Sequence, residues 1–382
     1  MNGMKKTFFI FLIIILCFPA VQKVFNPFSS GSLDGFSAPV GRPEVSFFNI
    51  FNGKFRDEGN VYSEYAAPFR SDLVRLHNQV DFSLFGVPHA HKIIVGKENY
   101  LFEEAYLKAY RGEDFIGRKK IEARVGQFKE LQDLLRDSLK VFMLVAFAPD
   151  KGSFYPEYIP DRYLRKKKDT TNYQWYKQKL EEAGVHFIDF NQWFLRMKDT
   201  SEFVLYPKTG IHWSSYGAFL AMDSLWRYLN VRIGNSLPKP VLGGIEISAN
   251  ARFKDADICK ALNLIWEIPH PGMAYPKVRF NPPDSSPKPS ALFIGDSFYF
   301  CWSDADYIRN SFKKEEFWYY DQDVYFNGVR QKLTAKEMDL AKSLSGINIL
   351  VFLQTNAGYG NVGYGFVDRA LDLLNEKAKG RK

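Results

Sequence analysis

Short apolar runs alternate with segments of helical hydrophobic spacing along most of this 382-residue chain. In the clearest helical segment, 116–139, apolar residues recur at Ile121, Val125 and Phe128 among charged ones. Buried strands are predicted at 141–147, 185–190, 291–294, 317–320 and 347–353, and further helices at 172–183, 215–229, 334–344 and 366–376. This alternation predicts a three-layer α/β fold around a mainly parallel sheet.

Two regions do not follow the alternation. Ile93–Val95 and Tyr100–Phe102 are short apolar runs on either side of residues 96–99, and they predict a small β-hairpin. Residues 231–290 contain many prolines and glycines and are predicted to form an insertion over the functional site.

The N-terminus carries an apolar run, Phe8–Val21, directly after Lys5 and Lys6. The run is short for a transmembrane helix but long enough for a signal sequence or a tilted anchor. No small-x-small cleavage site follows, and bulky Leu16 before Cys17 disfavours a lipoprotein signal. An uncleaved signal anchor is therefore predicted over residues 1–24, a Ser/Gly/Pro-rich linker over 25–45 and the folded domain over 46–382. The positive-inside rule places residues 1–6 in the cytoplasm and everything after about residue 24 outside it. A periplasmic location, anchored to the inner membrane, is the expectation.

The composition is that of a globular protein, with 46% hydrophobic and 25% charged residues. A net charge of +8 favours anionic partners such as an acidic polysaccharide or a phospholipid surface. Nucleic acid is not an expected partner, because the basic residues are scattered and no nucleic-acid motif occurs. The tight basic clusters, Arg165–Lys168 and the tail residues Lys377, Lys379, Arg381 and Lys382, are interpreted as solvated surface.

Cysteine and histidine usage gives no metal site. No Cys/His group has zinc spacing, and His89 and His91 alone are too sparse to predict a metal. No cofactor is expected. Cys259 and Cys301 either pair in an oxidising periplasm or remain buried thiols, and the sequence leaves both possibilities open.

Candidate chemistry comes from two stretches. In Ala291-Leu292-Phe293-Ile294-Gly295-Asp296-Ser297, a buried strand ends in a turn that Gly295 would permit, which places Ser297 where α/β sheets bind ligands. The second stretch, 206–218, contains His212 followed by Trp213, and an imidazole is the base that a serine hydroxyl needs. The alternatives are a helix N-cap turn around Ser297 and a structural histidine.

Together the two stretches resemble the alginate O-acetyltransferase AlgX/AlgJ family, SGNH-hydrolase-like proteins in which an Asp-x-His-Trp motif precedes a Gly-x-Ser motif. Phe69–Arg70, Leu76–Asn78, Gly96–Phe102 and Ala148–Lys151 resemble further parts of that family, so that the resemblance covers roughly residues 50 to 375. It implies an SGNH-type fold and an extracytoplasmic O-acetyltransferase with a polysaccharide acceptor. Because acetyl-CoA is cytoplasmic, a membrane-bound donor protein of the MBOAT type is also implied.

Under this resemblance, Ser297 is the nucleophile, His212 is the base and acetyl-serine is the intermediate. Asn356, which follows the last strand, is predicted to join the Ser297 backbone N–H in holding the oxyanion, and the alternative is a plain turn asparagine. Trp213 is predicted to pack beneath the imidazole and Asp296 to lie beside the nucleophile. Lys151, with Lys108 and Arg111, is predicted to meet an acidic polymer.

One departure from the family concerns the third member of the triad. The family's aspartate falls on Gly210, so that Asp189, Asp150, Asp296, Thr209 or a backbone carbonyl would have to orient His212. If Gly210 marks a lost carboxylate, Gly210→Asp should raise activity; if the chain needs a positive φ there, any side chain should lower it. The alternatives to a transferase are a carbohydrate acetylesterase and a catalytically silent polysaccharide-binding scaffold.

Overall fold

The computed structural model describes residues 2–25, 31–35, 40–165, 169–234, 236–283 and 287–379. Lys166, Lys167, Lys168, Arg381 and Lys382 of the predicted basic clusters lie outside the described residues, as do the side chains of Lys377 and Lys379. The chain divides into two compact units, one made of Met1–His91 with Cys259–Glu267 and the other of Lys92–Ile258 with Ile268–Lys382.

The first unit is helical. Its helices are α1 (Asn2–Phe25), α2 (Phe47–Phe51), α3 (Lys54–Tyr65) and α4 (Arg70–Phe85). The segment Gly3–Gln22 of α1 is long and apolar enough to cross a membrane, a property that N-terminal signal sequences share. Two buried polar side chains of α4 hold the segment 259–267, since Asn78 Nδ2 donates to the Leu262 carbonyl at 2.8 Å and Gln79 Oε1 accepts from the Trp266 N–H at 3.0 Å.

The second unit contains a seven-stranded sheet and most of the helices. Its strands are β1 (Ile93–Val95), β2 (Leu101–Glu103), β3 (Phe142–Phe147), β4 (Phe187–Asp189), β5 (Lys239–Ser248), β6 (Met273–Asn281), β7 (Ser290–Gly295), β8 (Lys314–Tyr319), β9 (Asp323–Phe326), β10 (Val329–Thr334) and β11 (Ile349–Gln354). Its longer helices are α5 (Glu104–Arg111), α6 (Arg118–Leu134), α9 (Asn172–Glu182), α10 (Phe190–Met197), α11 (Ser215–Ile233) and α15 (Phe366–Lys379). The short helices are α7 (Lys151–Phe154), α8 (Asp161–Leu164), α13 (Phe300–Asp304) and α14 (Leu340–Ser345); α12 (Asp257–Ala261) begins in this unit.

The large sheet has the strand order β10-β9-β8-β7-β11-β3-β4. The five strands from β8 to β4 are parallel, while β9 and β10 pair antiparallel at one edge. On one face, α6, α9 and α15 pack through residues such as Phe128, Leu180 and Leu371. On the other face, Trp226 of α11 contacts Phe312, which contacts Phe293 of β7. The predicted three-layer arrangement with a mainly parallel sheet is confirmed.

Most predicted elements occur close to their predicted bounds, including the hairpin β1–β2 and the helix α6, which continues through a π-helical turn at Leu135–Leu139. The helix predicted at 334–344 is wrong, because this segment contains the end of β10 and only the short α14. Asn327 and Gly328, both with positive φ, turn β9 into β10. An Asn-Gly pair is a hairpin signal, and the helical interpretation overlooked it.

Candidate active site

Ser297 follows β7, in which every residue is buried. A Cβ at Gly295 would lie 2.2 Å from the Leu353 carbonyl oxygen, so glycine is needed for the close approach of β7 and β11. Its φ is not positive, so glycine is needed here for the close approach of the two strands and not for the backbone conformation of the turn. The chain leaves the sheet at Asp296 and forms a 3-10 turn, Ser297–Tyr299, that presents the partly exposed Ser297 at the carboxyl end of the strand.

Asp296 fixes this turn to the neighbouring strand end. Its Oδ1 accepts the Phe298 N–H at 3.1 Å, and its Oδ2 accepts the Thr355 N–H at 2.7 Å and the Thr355 hydroxyl at 2.9 Å. Burial raises the pKa of Asp296, although these hydrogen bonds act in the opposite direction. The Asp296 carboxylate therefore supports the Ser297 turn through contacts that do not involve the His212 ring.

His212 is buried in the loop before α11, whose first turn Ser214 caps by accepting the Gly217 N–H at 2.9 Å. The aromatic ring against the imidazole is Phe298, with ring centroids 4.8 Å apart. Trp213 packs edge-on against Phe298 at 5.3 Å. The expectation that Trp213 packs beneath the imidazole is therefore corrected, because Phe298 holds that place and Trp213 supports Phe298.

Ser297, His212 and an unpredicted carboxylate form one hydrogen-bonded chain. His212 Nε2 lies 2.7 Å from Ser297 Oγ, and His212 Nδ1 lies 2.7 Å from Oδ2 of Asp257. Oδ1 of Asp257 accepts the N–H groups of Ile211 and Ile258, each at 2.9 Å. Burial would raise the pKa of Asp257, but His212 and these two amides lower it below its ordinary value. An ionised carboxylate facing the far ring nitrogen is the arrangement of a Ser-His-Asp triad.

Asp257 lies 45 residues after His212, inside the region 231–290. A Cβ at Gly210 would lie 2.5 Å from the Lys254 carbonyl oxygen and 2.9 Å from that of Asp255, and the φ of Gly210 is not positive. Glycine at this position therefore leaves room for the segment 252–258, which brings in the carboxylate. Position 210 therefore carries no carboxylate, as the sequence indicated, and Asp257 is the residue that faces His212 Nδ1. The alternative that Gly210 needs a positive φ was wrong.

The segment 252–258 is attached to the His212 loop on both sides of the histidine. Thr209 Oγ1 donates to the Asp255 carbonyl at 3.1 Å, and the Asp255 carboxylate accepts the backbone N–H and the hydroxyl of Ser215, each at 3.0 Å. Burial raises the pKa of Asp255 to about 6, although the Ser215 contacts act against this shift. Asp255 thus holds the segment, and Asp257 meets the imidazole.

The other predicted orienting carboxylates are engaged elsewhere. Asp150 accepts hydrogen bonds from the Ser153 N–H and the Asn356 amide, and Asp189 accepts one from the Tyr173 hydroxyl at 2.7 Å. No motif pointed to Asp257, since the distance in sequence from His212 is long and the intervening residues lack a recognisable pattern.

Comparison with known proteins finds a similarity over part of the chain. Residues 93–241 match the SGNH hydrolase-like domain of the acetyltransferase AlgX. This match confirms the resemblance for a segment that contains His212 and ends before Asp257 and Ser297. With the observed topology, it shows an SGNH-like α/β fold with a mixed sheet. No curated protein matches the chain.

Several solved structures are similar to the chain at low identity. The O-acetyltransferase domain of Pseudomonas putida AlgJ is 14% identical with a TM-score of 0.49, and the match covers 74% of this chain and 99% of that one. Pseudomonas aeruginosa AlgX is 13% identical with a TM-score of 0.42, covering 72% and 67%. Bacillus cereus PatB1 with a sulfonyl adduct is 14% identical with a TM-score of 0.43, covering 65% and 93%.

Within the AlgX-like segment, Lys151 is fully buried beneath the His212 loop. Its Nζ donates to the carbonyls of Lys208 and Gly210, each at 2.7 Å. Burial lowers the pKa of Lys151 well below its ordinary value, and the Asp257 charge acts in the opposite direction. The prediction that Lys151 meets an acidic polymer is therefore corrected, because its amine is bound to the loop that carries His212.

The two other basic residues predicted to meet a polymer have acidic neighbours. Lys108 pairs with Glu104 at 3.0 Å, and Arg111 pairs with Glu113 at 2.6 Å. Arg111 also donates to the Tyr163 carbonyl at 2.8 Å, so its guanidinium helps to hold the local fold.

Asn356 follows β11 and is buried. Its Nδ2 donates to Asp150, and its Oδ1 has no hydrogen-bond partner among the described residues. Its role as an oxyanion donor stays a prediction.

The structure adds Tyr319, which pairs with Gly295 in the sheet. Burial raises the pKa of Tyr319, and interactions with the Tyr320 and Ser297 side chains oppose that shift.

Cys259 and Cys301 are both buried and are not joined by a disulfide. Of the two possibilities that the sequence left open, the structure therefore favours thiols. Burial raises the pKa of the Cys301 thiol well above its ordinary value, which disfavours the reactive thiolate form.

Proposed function

We propose that this protein is an extracytoplasmic O-acetyltransferase that acetylates hydroxyl groups of a polysaccharide through an acetyl-serine intermediate. The observation that carries the proposal is the hydrogen-bonded chain Ser297–His212–Asp257, at the carboxyl end of a parallel sheet. The AlgX match of residues 93–241 supports acetyl transfer over other reactions of such a triad.

In the first half-reaction, Ser297 Oγ attacks the acetyl carbonyl carbon of the donor, and its proton passes to His212 Nε2. The Nδ1 proton, donated to Asp257, fixes the tautomer in which Nε2 can accept, and the carboxylate stabilises the imidazolium that forms. The donor's leaving oxygen takes the proton from Nε2 as the tetrahedral intermediate collapses. The products are acetyl-Ser297 and the deacetylated donor.

In the second half-reaction, an acceptor hydroxyl replaces the departed donor. His212 Nε2 removes the hydroxyl proton, and the oxygen attacks the acetyl carbon of the ester. Collapse returns the proton to Ser297 Oγ and releases the acetylated acceptor. A hydrolase results if water enters at this step, so transfer requires that the acceptor hydroxyl reach the ester faster than water does.

Three groups are proposed to stabilise the oxyanion. The Ser297 N–H lies at the start of the 3-10 turn, Asn356 follows the adjacent strand β11, and Tyr319 ends β8 on the other side. A phenol is protonated at neutral pH and burial raises the pKa of Tyr319 further, so it can donate a hydrogen bond to a negatively charged oxygen. Loss of one such donor typically costs about 100-fold to 1,000-fold in rate.

The extracytoplasmic setting is proposed from Lys5 and Lys6 before the apolar segment Gly3–Gln22 of α1. A membrane-bound donor protein of the MBOAT type would then supply acetyl groups from the cytoplasmic pool. A reporter fused after Lys382 should be active only outside the cytoplasm. Activity of the same reporter inside the cytoplasm would contradict both the localisation and the need for a membrane-bound donor.

Intact-mass spectrometry tests the catalytic proposal directly. The purified protein is incubated with a chromogenic acetyl ester, with and without an acidic oligosaccharide. We expect an acetylated protein whose label maps to Ser297 and disappears, with acetylation of the sugar, when the oligosaccharide is added. Ser297→Ala should form no adduct and retain the fold, because a partly exposed serine at a strand end buries little apolar area.

Other outcomes assign other functions. Rapid loss of the label to water without sugar acetylation would indicate a carbohydrate acetylesterase. Absence of any adduct in the wild-type protein, together with binding of the oligosaccharide, would indicate a polysaccharide-binding scaffold. An adduct that persists in Ser297→Ala would remove Ser297 from the mechanism.

A further inference from the structure

Two histidines and an aspartate converge at the C-terminal part of α4, within the first compact unit. His77 and Asp81 are four residues apart and therefore lie on one face of the helix. The helix ends at Gly86, which has the left-handed conformation common in helix caps. The chain then turns back, and His89 returns to the same face.

The ligand atoms of these three residues form a compact group. His89 Nε2 lies 2.6 Å and His77 Nε2 lies 3.6 Å from the same oxygen, Oδ2 of Asp81. One ligand atom from each residue lies within 4.8 Å of the others. The ligands of a tetrahedral zinc ion, at about 2.0 to 2.2 Å from the metal, are separated by roughly 3.3 Å. The observed separations approach that spacing, so small side-chain rotations would seat an ion.

Ion pairing alone explains this arrangement of His77, Asp81 and His89 less completely than a bound metal ion does. The imidazoles of His77 and His89 have ring centroids only 4.7 Å apart, and both direct Nε2 at one carboxylate oxygen. Two protonated imidazoles at this separation repel each other, and one protonated ring already neutralises Asp81. A divalent cation satisfies all three groups at once, since it binds neutral imidazole nitrogen and ionised carboxylate oxygen.

We propose that His77, Asp81 and His89 form a binding site for a first-row divalent transition-metal ion, with Zn²⁺ as the best match. Two imidazoles and one carboxylate suit Zn²⁺ better than Ca²⁺ or Mg²⁺, which prefer oxygen ligands. His77 and His89 are exposed, so an ion can enter from solvent and the remaining coordination positions stay open to water. The bound ion would fasten the turn after α4 to the helix.

The sequence gives this site only in part. In the sequence, His89 and His91 stand out as a His-x-His pair. In the structure His91 is not part of the group, and His89 joins His77 and Asp81 of the helix instead. His91→Gln is therefore a matched control, since it removes a neighbouring exposed imidazole without touching the proposed ligands.

Zinc binding by the full-length protein tests the proposal. The tag-free chain, purified in detergent, is stripped with a chelator, titrated with Zn²⁺ against a chromophoric competitor, and analysed for bound metal by mass spectrometry. We expect one equivalent of zinc, bound at least about tenfold more weakly by His77→Gln, Asp81→Asn and His89→Gln. The His91→Gln variant should bind as the wild type does.

Cobalt provides a second measurement that does not depend on affinity. Co²⁺ in the wild-type protein should give the visible absorption of a low-coordinate nitrogen and oxygen site, and the double variant His77→Gln/His89→Gln should not. Circular dichroism establishes that the variants are folded. Stoichiometric zinc in the double variant, or none in the wild type, would overturn the proposal.

Discussion

Ser297 and Asp257 meet the two nitrogens of one imidazole, but their segments are positioned in different ways. Ser297 follows β7, a strand buried along its whole length between the parallel neighbours β8 and β11. Asp257 follows an irregular segment between β5 and β6, and that segment is held by single hydrogen bonds to the His212 loop. The position of Ser297 depends on the backbone hydrogen bonds of a regular parallel sheet, whereas that of Asp257 depends on a few side-chain hydrogen bonds.

This difference explains why the carboxylate of a triad need not lie at a fixed distance in sequence from the histidine. The nucleophile needs a strand end that aims it into the cleft, and that requirement leaves a local pattern. The carboxylate needs only to reach His212 Nδ1, so any segment that can pack there will serve. In this chain the position two residues before the histidine is Gly210, and the carboxylate arrives through the space that this glycine leaves open.

The largest effect after loss of the nucleophile is expected from Asp257→Asn. An asparagine preserves the shape but no longer fixes the tautomer or stabilises the imidazolium, and this change costs on the order of 10⁴ in rate in a serine protease. Turnover of a chromogenic acetyl ester measures it. Asp255→Asn is the matched control, because it alters the same segment without touching the imidazole. Equal, small losses in both variants would mean that Asp257 does not act through His212.

Substitution at Gly210 should have the next largest effect. A Cβ 2.5 Å from the Lys254 carbonyl must displace the segment that holds Asp257, and overpacking of this kind costs about 1–3 kcal/mol. Gly210→Ala and Gly210→Asp should therefore both lower esterase turnover, by roughly 10- to 100-fold if the strain falls on the catalytic geometry. Higher activity for Gly210→Asp with no gain for Gly210→Ala would instead restore the idea of a lost carboxylate.

Lys151→Met should destabilise the His212 loop. It leaves the Gly210 carbonyl without its buried donor, at a cost of about 1–3 kcal/mol, whereas the Lys208 carbonyl keeps the Leu101 N–H at 3.1 Å. We expect a lower urea midpoint and roughly tenfold lower turnover, since the loop would hold His212 less firmly. Lys208→Met is the control, because the Lys208 amine lies over the Tyr100 ring instead of bonding to the loop. If both variants behave alike, the buried amine does not position the loop.

Regular packing made much of this molecule predictable from sequence. The strand before Ser297 and the helix after His212 were predicted because apolar spacing and strand-end position are local properties. Asp257 and Tyr319 were missed because each reaches the site through tertiary contacts that leave no periodic pattern. Lys151 was found in sequence but given the wrong role, since burial of a lysine under a loop cannot be inferred from a Pro-Asp-Lys turn.

The smallest expected effects are pH-dependent changes in stability, which should differ between the Ser297 turn and the segment that carries Asp257. Burial raises the pKa of Glu315, which accepts from Tyr299 in the Ser297 turn, from 4.5 to about 7, and that of Asp255, beside Asp257, from 3.8 to about 6. Between the ordinary and the raised pKa the native state retains a proton that the unfolded chain has released. Stability therefore falls as pH rises through each window, by at most about 1.4 kcal/mol per pH unit for each group.

Urea unfolding from about pH 4 to about pH 8 measures these windows. Glu315→Gln should remove the pH-dependent loss between about 4.5 and about 7, whereas Asp255→Asn should remove only the part below about pH 6. From about pH 6 to 7 only the Glu315 variant should therefore differ in slope from the wild type. Towards pH 4 the Glu315 variant should approach the wild-type slope, because the Glu315 carboxyl is then largely protonated in both the native and the unfolded state. Parallel curves for Glu315→Gln and the wild type across this range would show that the buried glutamate does not couple protonation to the stability of the Ser297 turn.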